Sequence, residues 1–114
     1  MNSIKGYDKL MKQLDSISNL DELAIKKVSA QVVLEEMKDR TPVDTGELLE
    51  SEHLEITDKD VSIVADAPHA IFVEYGTVKQ QAQPFMRPAL EYSETEVLRA
   101  MKQEVESQLK EILA

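Results

Sequence analysis

The stretch Thr41-Pro42-Val43-Asp44-Thr45-Gly46 separates two parts of the chain with different hydrophobic patterns. Before it, apolar residues repeat at helical spacing, and after it they alternate. Pro42 has no N–H group, fixes its own φ at about −65° and disfavours the α conformation of the preceding residue, so a helix that reaches Arg40 has to end here. The Asp44 carboxylate can accept a hydrogen bond from the Gly46 N–H, and Gly46 can adopt a positive φ. We therefore predict a rigid corner, although the hexapeptide alone is most simply a helix-to-strand connection.

The composition indicates one acidic globular domain with an aliphatic core. The chain has 114 residues, and a domain of this size buries roughly two thirds of the surface that its unfolded chain exposes. Only 4% of the residues are aromatic and there is no Trp, so the core must be mainly aliphatic. We predict a single domain over residues 1–114, in which residues 1–19 form an N-terminal helix that need not be fixed to the rest.

Charge and cysteine content exclude several classes of function. The 13 Lys and Arg against 22 Asp and Glu give a net charge of −9, which disfavours non-specific binding to nucleic-acid phosphates. The absence of Cys excludes disulfides and thiolate chemistry. The first residues carry Lys5, Asp8, Lys9 and Lys12 without a long apolar run, so we predict neither a secretory signal nor a membrane span. We expect a soluble, intracellular protein.

Apolar residues at spacings of three and four predict two helices before the corner. The first spans residues 7–17, with its apolar face at Tyr7, Leu10, Met11, Leu14 and Ile17. The second spans residues 20–40, begins with Asn19 as N-cap and has Lys38 and Arg40 in its last turn. The predicted core face of this second helix consists of Leu20, Ala24, Val28 and Val32, widened by Ile25 and Val33.

Alternation after the corner predicts a β-hairpin. Its strands are residues 48–57 and 61–66, and the polar triplet 58–60 is the turn. A two-stranded hairpin is marginal alone, so it must pack on helices or join a larger sheet completed by other subunits.

The remaining chain reads as a short helix, a polar loop and a long helix. Residues 68–75 predict a helix with Pro68 in its first turn and Gly76 at its end, with a third strand as the alternative. Residues 76–83 have the composition of an exposed loop, closed by Pro84. A helix over residues 88–113 follows, with Pro88 in its first turn. Its apolar stripe, predicted to pack on the sheet with a coiled-coil seam as the alternative, consists of Leu90, Val97, Met101, Val105, Leu109 and Ile112, widened by Leu98.

These elements define the predicted fold class, which is α+β: N-terminal helices and a long C-terminal helix packed on a small antiparallel sheet. Within it, Arg87 lies between apolar neighbours, where an arginine usually has a carboxylate partner. Glu74, between Val73 and Tyr75, is the predicted partner, and the alternative is that both side chains are exposed.

No pattern in the sequence indicates catalysis or a cofactor. His53 and His69 are the only histidines and lack the short, regular spacing of a metal site. Asp66, His69 and Glu74 could converge on one cation, but acidic residues are so frequent that such groupings arise by chance. The chain has no phosphate-binding Gly-rich loop and no nucleophile elbow. We therefore predict no enzyme, no metal and no cofactor.

Three separated pieces resemble one protein family when taken together. They are Thr41-Pro-Val-Asp-Thr-Gly-Glu-Leu48, Val73-Glu-Tyr-Gly-Thr77 and Gln83-Pro-Phe-Met-Arg-Pro-Ala89, the last opening a terminal helix. In this order and at these separations they resemble the head-tail connector, or tail-completion, family of long-tailed phages and prophages. The resemblance covers roughly residues 20 to 113.

The resemblance implies a structural virion protein without catalytic activity. It implies assembly as a six-membered ring between the connector or stopper and the tail tube, with DNA passing through unbound and no membrane contact. The protein would reside at the head-tail interface of the virion, and in the host cytoplasm during assembly. Competing hypotheses are a minor tail or tail-terminator protein, a non-phage acidic binding module such as an antitoxin-like or adaptor domain, and, third, an enzyme.

The resemblance also assigns roles to residues of this sequence. Structural roles fall to Pro42, Asp44, Thr45 and Gly46 in the corner, and to Glu74, Tyr75, Gly76, Thr77, Pro84, Phe85, Arg87 and Pro88 around the loop. The candidate interface residues, which lie in the loop itself, are Val78, Lys79, Gln80 and Gln81. We expect this loop to contact a neighbouring subunit or the tail.

Overall fold

A computed structural model describes residues 6, 8–12 and 19–113 of the chain. Residues 8–12 are helical, whereas residues 7 and 13–17 of the predicted first helix lie outside the described residues. The α+β class is confirmed: five helices in residues 19–113 accompany one antiparallel pair of strands.

Helix α1 (Glu22–Arg40) is the central element of the fold. Its N-cap is Asp21, whose carboxylate accepts a hydrogen bond from the Ala24 N–H at 3.1 Å. The predicted cap at Asn19 was therefore wrong by two residues. Both Asn and Asp cap well, and Asp21 holds the position from which a side chain reaches the third N–H of this helix.

The corner has the predicted backbone but a different side-chain bond. Thr41 leaves the helix with φ −68° and ψ 124°, directly before Pro42, and Gly46 has φ 86° in the left-handed region. Thr45 Oγ1 accepts a hydrogen bond from the Glu47 N–H at 3.3 Å. The predicted bond of the Asp44 carboxylate with the Gly46 N–H does not form within the described residues, and the bond from the Glu47 N–H to Thr45 is present instead.

That helix, α2 (Glu47–Ser51), corrects the predicted strand over residues 48–57. The Gly46 carbonyl oxygen accepts a hydrogen bond from the Glu50 N–H at 2.9 Å, which starts a helical turn. Leu and Glu are strong helix formers, and their alternation here did not indicate two faces of a strand. Strand β1 begins only at Glu52 and ends at Ile56.

The predicted hairpin is confirmed, with a first strand that covers only the second half of the predicted one. Strand β1 (Glu52–Ile56) pairs antiparallel with strand β2 (Val61–Ala65), in a register from Glu52 opposite Ala65 to Ile56 opposite Val61. One face of this sheet packs against the core through Leu54, Ile63 and Ala65.

Three helices complete the chain: α3 (Ala70–Tyr75), α4 (Met86–Tyr92) and α5 (Glu94–Leu113). The predicted short helix is confirmed as α3, and the alternative third strand was wrong, but the helix begins at Ala70, so Pro68 lies before its N-cap His69 and not in its first turn. The predicted single helix over residues 88–113 is two helices that meet at Ser93. The first begins at Met86, so Pro88 does lie in a first turn, where its missing N–H costs little.

The core lies where α1 meets the sheet, α4 and the corner. Its members are Val33, Leu34, Met37, Leu48, Ala67, Ala70, Phe85 and Ala89. The fully buried residues of α1 are therefore Ala30, Val33, Leu34 and Met37, of which only Val33 was predicted, whereas Leu20, Ala24, Ile25, Val28 and Val32 of the predicted face are half-buried. The prediction assumed one covered face, whereas α1 is covered by α5 on another side.

Helix α5 packs on α1 and not on the sheet as predicted. The two helices run antiparallel: the Gln108 side chain exchanges hydrogen bonds with the backbone of Asp21, at 2.7 and 3.2 Å. The predicted stripe is half-buried from Val97 to Ile112, but Leu90 and Leu98 are each 58% exposed.

Candidate functional site

The corner and the loop form the two walls of one cleft, which we call the corner-loop cleft. One wall is residues 42–48, and the other includes Thr77, Gln80 and Gln83 of the loop. Phe72 and Val73 of α3 line the cleft between these walls. Segments some 30 residues apart in sequence thus face each other, and residues of all three matched pieces line the cleft.

The loop over residues 76–83 is a hydrogen-bonded turn. The Thr77 N–H donates to the Gln80 carbonyl oxygen at 2.8 Å, and Thr77 Oγ1 accepts from the N–H groups of Lys79 and Gln80 at 3.2 and 3.0 Å. The Gln83 N–H donates to the Val73 carbonyl oxygen at 2.8 Å and ties the end of the loop to α3. These bonds hold the backbone in shape while the side chains of residues 77–81 stay exposed.

Gly76 has to be glycine for two independent reasons. Its φ is 77°, in the left-handed region that side chains disfavour. A Cβ at this position would also lie 2.7 Å from the Ala82 nitrogen and 3.0 Å from the Gln80 carbonyl oxygen. The loop folds back so closely on Gly76 that no side chain fits there.

The far end of the loop is held by the carboxylate of Glu74, whose side chain is 4% exposed. Glu74 Oε1 accepts hydrogen bonds from the N–H groups of Phe85 and Met86, both at 2.9 Å. Glu74 Oε2 accepts from the Arg87 N–H at 3.2 Å and from Arg87 Nε at 2.8 Å. The predicted ion pair between Glu74 and Arg87 is therefore present in the structure.

Sequence reasoning missed that Glu74 is also the N-terminal cap of α4. The residue in the N-cap position, Phe85, offers no side-chain bond, so the first N–H groups of α4 depend on a carboxylate eleven residues earlier in the chain. A helix start at Phe85-Met86 without Ser, Thr, Asp or Asn was the only sign that the cap had to come from elsewhere.

Electrostatics favour the ionised form of Glu74. Burial alone would raise the pKa of this carboxyl, but hydrogen bonds from the Met86 N–H, the Arg87 side chain and the Phe85 and Arg87 N–H groups outweigh burial and lower it. Arg87 is further held by its Nη2, which donates to the Glu74 carbonyl oxygen at 3.0 Å, and by the Tyr75 ring, whose centroid lies 4.7 Å from the guanidinium carbon.

A second buried carboxyl, Glu52, lies under the corner and was also missed. Thr41 Oγ1 is 2.6 and 2.9 Å from its two oxygens and 2.7 Å from the Met37 carbonyl oxygen. The Thr41 hydroxyl is the donor, and its single proton can serve only one of these acceptors at a time. Burial raises the pKa of Glu52, and the Thr41 hydrogen bond and the Lys38 charge offset only part of this effect.

Exposed apolar side chains lie on the segments that form the corner-loop cleft, and two of them, Val43 and Phe72, line it. Their exposed fractions range from 53% to 106%, and they are Val43, Ile71, Phe72, Tyr75 and Val78. Val78 lies at the tip of the hydrogen-bonded loop and is the most exposed of them. Large apolar side chains that share one surface mark a site of contact with another macromolecule.

The histidines do not form the grouping considered from the sequence. Among the described residues, Asp66, His69 and Glu74 do not converge, and instead His53, Glu55 and Asp66 have atoms within 4.8 Å of one another. His53 Nδ1 lies 2.8 Å from the Ser51 carbonyl oxygen, which is the largest cause of its raised pKa. These three side chains lie on the outer face of the hairpin and favour a positive charge on His53 there.

Comparison with known protein families shows which family the chain belongs to. The model of the family described as "Bacteriophage HK97-gp10, putative tail-component" matches residues 8–76, which include the corner, the hairpin and α3. No curated protein and no solved structure matches the chain. None of the helices described here is long and apolar enough to cross a bilayer. The matched residues are more than half of the sequence, and the protein therefore belongs to the HK97-gp10-like family of bacteriophage tail components.

Proposed function

We propose that this tail component joins the phage head to the tail. It acts without catalysis, by assembling as a six-membered ring that docks between the connector or stopper and the tail tube. It resides in the virion at the head-tail interface, and in the host cytoplasm before assembly. The phage family supports the structural and virion-associated part of this proposal.

One observation carries the docking step: the corner, α3 and the loop present apolar side chains on a frame that is fixed at each end. Glu74 fixes the loop to α4, and Gly76 allows its tight return. Val78 stands at its tip, fully exposed, so the side chain has no role in the fold of the described residues. A rigid loop with a free apolar tip suits contact with a protein surface, because little backbone order is lost on binding.

The charge of the protein fits DNA as passing cargo. Each copy has a net charge of −9, and a ring multiplies this charge around one axis. An acidic wall repels phosphates and so does not retain the genome during its passage. DNA is then neither a ligand nor a specificity determinant of this protein.

Replacing Val78–Ala82 by Gly and Ser residues tests the docking loop. We expect an almost unchanged melting temperature of the isolated protein, because the side chains of residues 78–81 are exposed and the loop bonds are made by backbone groups and Thr77. In a phage that lacks the wild-type gene, this variant should yield separate heads and tails. The matched control is Lys102→Ser, an exposed change on α5, which should yield joined particles.

Joined, infectious particles from the loop variant would show that the loop is only a spacer. The docking surface would then have to be sought on the hairpin or on the exposed side of α5. A second measurement follows the complex directly: the molecular mass of the protein should rise when purified tail-tube protein is added, and the loop variant should reduce this shift.

A further inference from the structure

The hairpin has two open edges, and the ladder shows which backbone groups face them. The Thr57 N–H donates to the Asp60 carbonyl oxygen at 2.9 Å, and the Asp66 N–H donates to the Ser51 carbonyl oxygen at 3.4 Å. In an antiparallel pair, hydrogen-bonded and non-hydrogen-bonded positions alternate along each strand. Both of these bonds place the hydrogen-bonded positions at the same alternate residues. Every second residue of each strand therefore directs its N–H and C=O away from the partner strand.

On β2 the outward groups belong to Val61, Ile63 and Ala65, and on β1 those of Leu54 and Ile56 face the other edge. No hydrogen bond to these outward groups is formed by any residue in the described part of the chain. Strand β2 has the sequence Val-Ser-Ile-Val-Ala, without a charge, a proline or a bulge. Natural proteins protect an edge strand with such features or cover it, so this edge is expected to be covered by another strand.

Charge selects the strand that fits. Two β1 edges would bring the exposed Glu55 side chains of both copies close together, which is unfavourable. Two β2 edges would pair without repulsion, but such a dimer leaves both β1 edges open. Pairing of a β2 edge with a β1 edge places Glu55 against uncharged residues and leaves no edge unpaired in a closed assembly.

We propose that copies of this protein associate by edge-to-edge strand pairing, with β2 of one copy hydrogen-bonded to β1 of the next. Rotation about one axis keeps every hairpin in the same orientation, so strands alternate in direction and each new pair is antiparallel. The interface is heterologous and closes into a ring. The number of copies in the ring rests on the function proposed above, whereas the edge pairing does not.

The two faces of the hairpin fit this arrangement. The core-facing side chains Leu54, Ile63 and Ala65 lie against the helices, so the helices surround the strands from one side. The opposite face carries Glu55 and is open to solvent. In a closed ring with the helices outside, this face, which carries Glu55 and His53, lines the channel.

Cysteine cross-linking tests the pairing, because the protein has no cysteine of its own. Glu55 and Ser62 point to the open face, at positions that are non-hydrogen-bonded in the new pair, where Cβ atoms come closest. Since these two residues are partners within one hairpin, the variants Glu55→Cys and Ser62→Cys are made as separate proteins and mixed. A parallel mixture of Glu55→Cys with Val64→Cys samples the neighbouring register. Lys102→Cys mixed with Ser62→Cys is the control.

Mild oxidation of at least one β1–β2 mixture at high concentration should give mixed dimers well above the share expected from random coupling, and the control should not. Adding Ser62→Lys to the Val64→Cys protein should abolish the excess without lowering the melting temperature, whereas Ser62→Thr should preserve it. Random coupling in both mixtures would overturn the proposal, and so would an excess of Ser62→Cys homodimers, which reports a two-fold β2 pair.

This test needs no phage. If the cysteines cross-link and the loop variant still gives joined particles, the docking loop is rejected and the edge pairing is kept. If the cysteines do not cross-link and the loop variant gives separate heads and tails, the edge pairing is rejected and the docking loop is kept.

Discussion

Replacing Glu74 should destabilise the protein far more than replacing its ion-pair partner Arg87. The Glu74 carboxylate accepts four hydrogen bonds, three of them from the backbone at the start of α4. Glu74→Ala leaves the buried Phe85 N–H unsatisfied, at a cost of about 1–3 kcal/mol, and removes a helix cap worth about 0.5–2 kcal/mol. Together these two terms predict a loss of about 1.5–5 kcal/mol in the free energy of unfolding, because the partner left behind, Arg87, is half exposed and adds no buried charge.

Arg87→Ala should cost only about 1 kcal/mol. The Arg87 side chain is 53% exposed, so solvent screens its ion pair to about 0–1 kcal/mol, with a similar amount from the Tyr75 ring. The Glu74 carboxylate also keeps its three backbone donors when Arg87 is removed. The double variant should cost less than the sum of the two single variants, because Arg87 loses its carboxylate partner as soon as Glu74 is truncated.

Denaturant unfolding of the two single variants and the double variant measures these differences. Glu74→Gln is the matched control, since it keeps the size and one acceptor oxygen while it removes the charge, and it should fall between wild type and Glu74→Ala. Equal costs for Glu74→Ala and Arg87→Ala would mean that the carboxylate acts as an ordinary surface ion pair. The cap function and the fixed loop end would then be wrong.

The two glycines with positive φ and the buried Glu52 give further predictions. Gly46→Val should cost on the order of 1–3 kcal/mol, because a β-branched side chain is strained at this φ, and an unchanged melting temperature would remove the basis of the corner. Gly76→Ala should cost more than Gly46→Ala, since only at Gly76 does a Cβ also meet the backbone of Ala82; equal melting temperatures would contradict this. Glu52→Gln should raise the melting temperature at pH 7 and have a smaller effect below the folded-state pKa, because a raised pKa means that the stability of the protonated form is lost as pH rises through it. A greater stabilisation at pH 4 than at pH 7 would contradict the neutral form under the corner.

Covalent and steric signals made the corner and the short helix predictable. Pro42 cannot continue a helix, and the positive φ of Gly46 and of Gly76 was expected because each glycine stood where the chain had to turn. The ion pair of Glu74 with Arg87 was also predictable, since a charged residue among apolar neighbours requires a partner. These inferences depend on one residue and its immediate neighbours, and tertiary context changes them little.

The remaining features depend on contacts that one sequence does not display. Residues 47–51 fit a strand by the alternation of their apolar residues and a helix by their intrinsic propensity. The hydrogen bond from the Glu50 N–H to the Gly46 carbonyl oxygen shows that the helix forms. Helix α1 has no single apolar face because it is covered on more than one side, so periodicity selected half-buried residues and, of the fully buried ones, only Val33. Glu52 looked like one more polar residue of a strand. Glu52 is buried because the end of α1 lies against it, and no local sequence pattern indicates this contact.

The two buried carboxyls lie behind the two walls of the corner-loop cleft, and their pKa values are shifted in opposite directions. Glu52 supports the start of the corner through Thr41 and is favoured there as a neutral acid, because burial dominates its pKa. Glu74 fixes the end of the loop through backbone N–H groups and is favoured as an anion, because hydrogen bonds outweigh burial. Its contribution is complete above the unfolded-state pKa and is lost as pH falls through the lowered folded-state pKa. Acid therefore weakens the loop wall while it strengthens the corner wall, and the shape of the cleft depends on both acids at once.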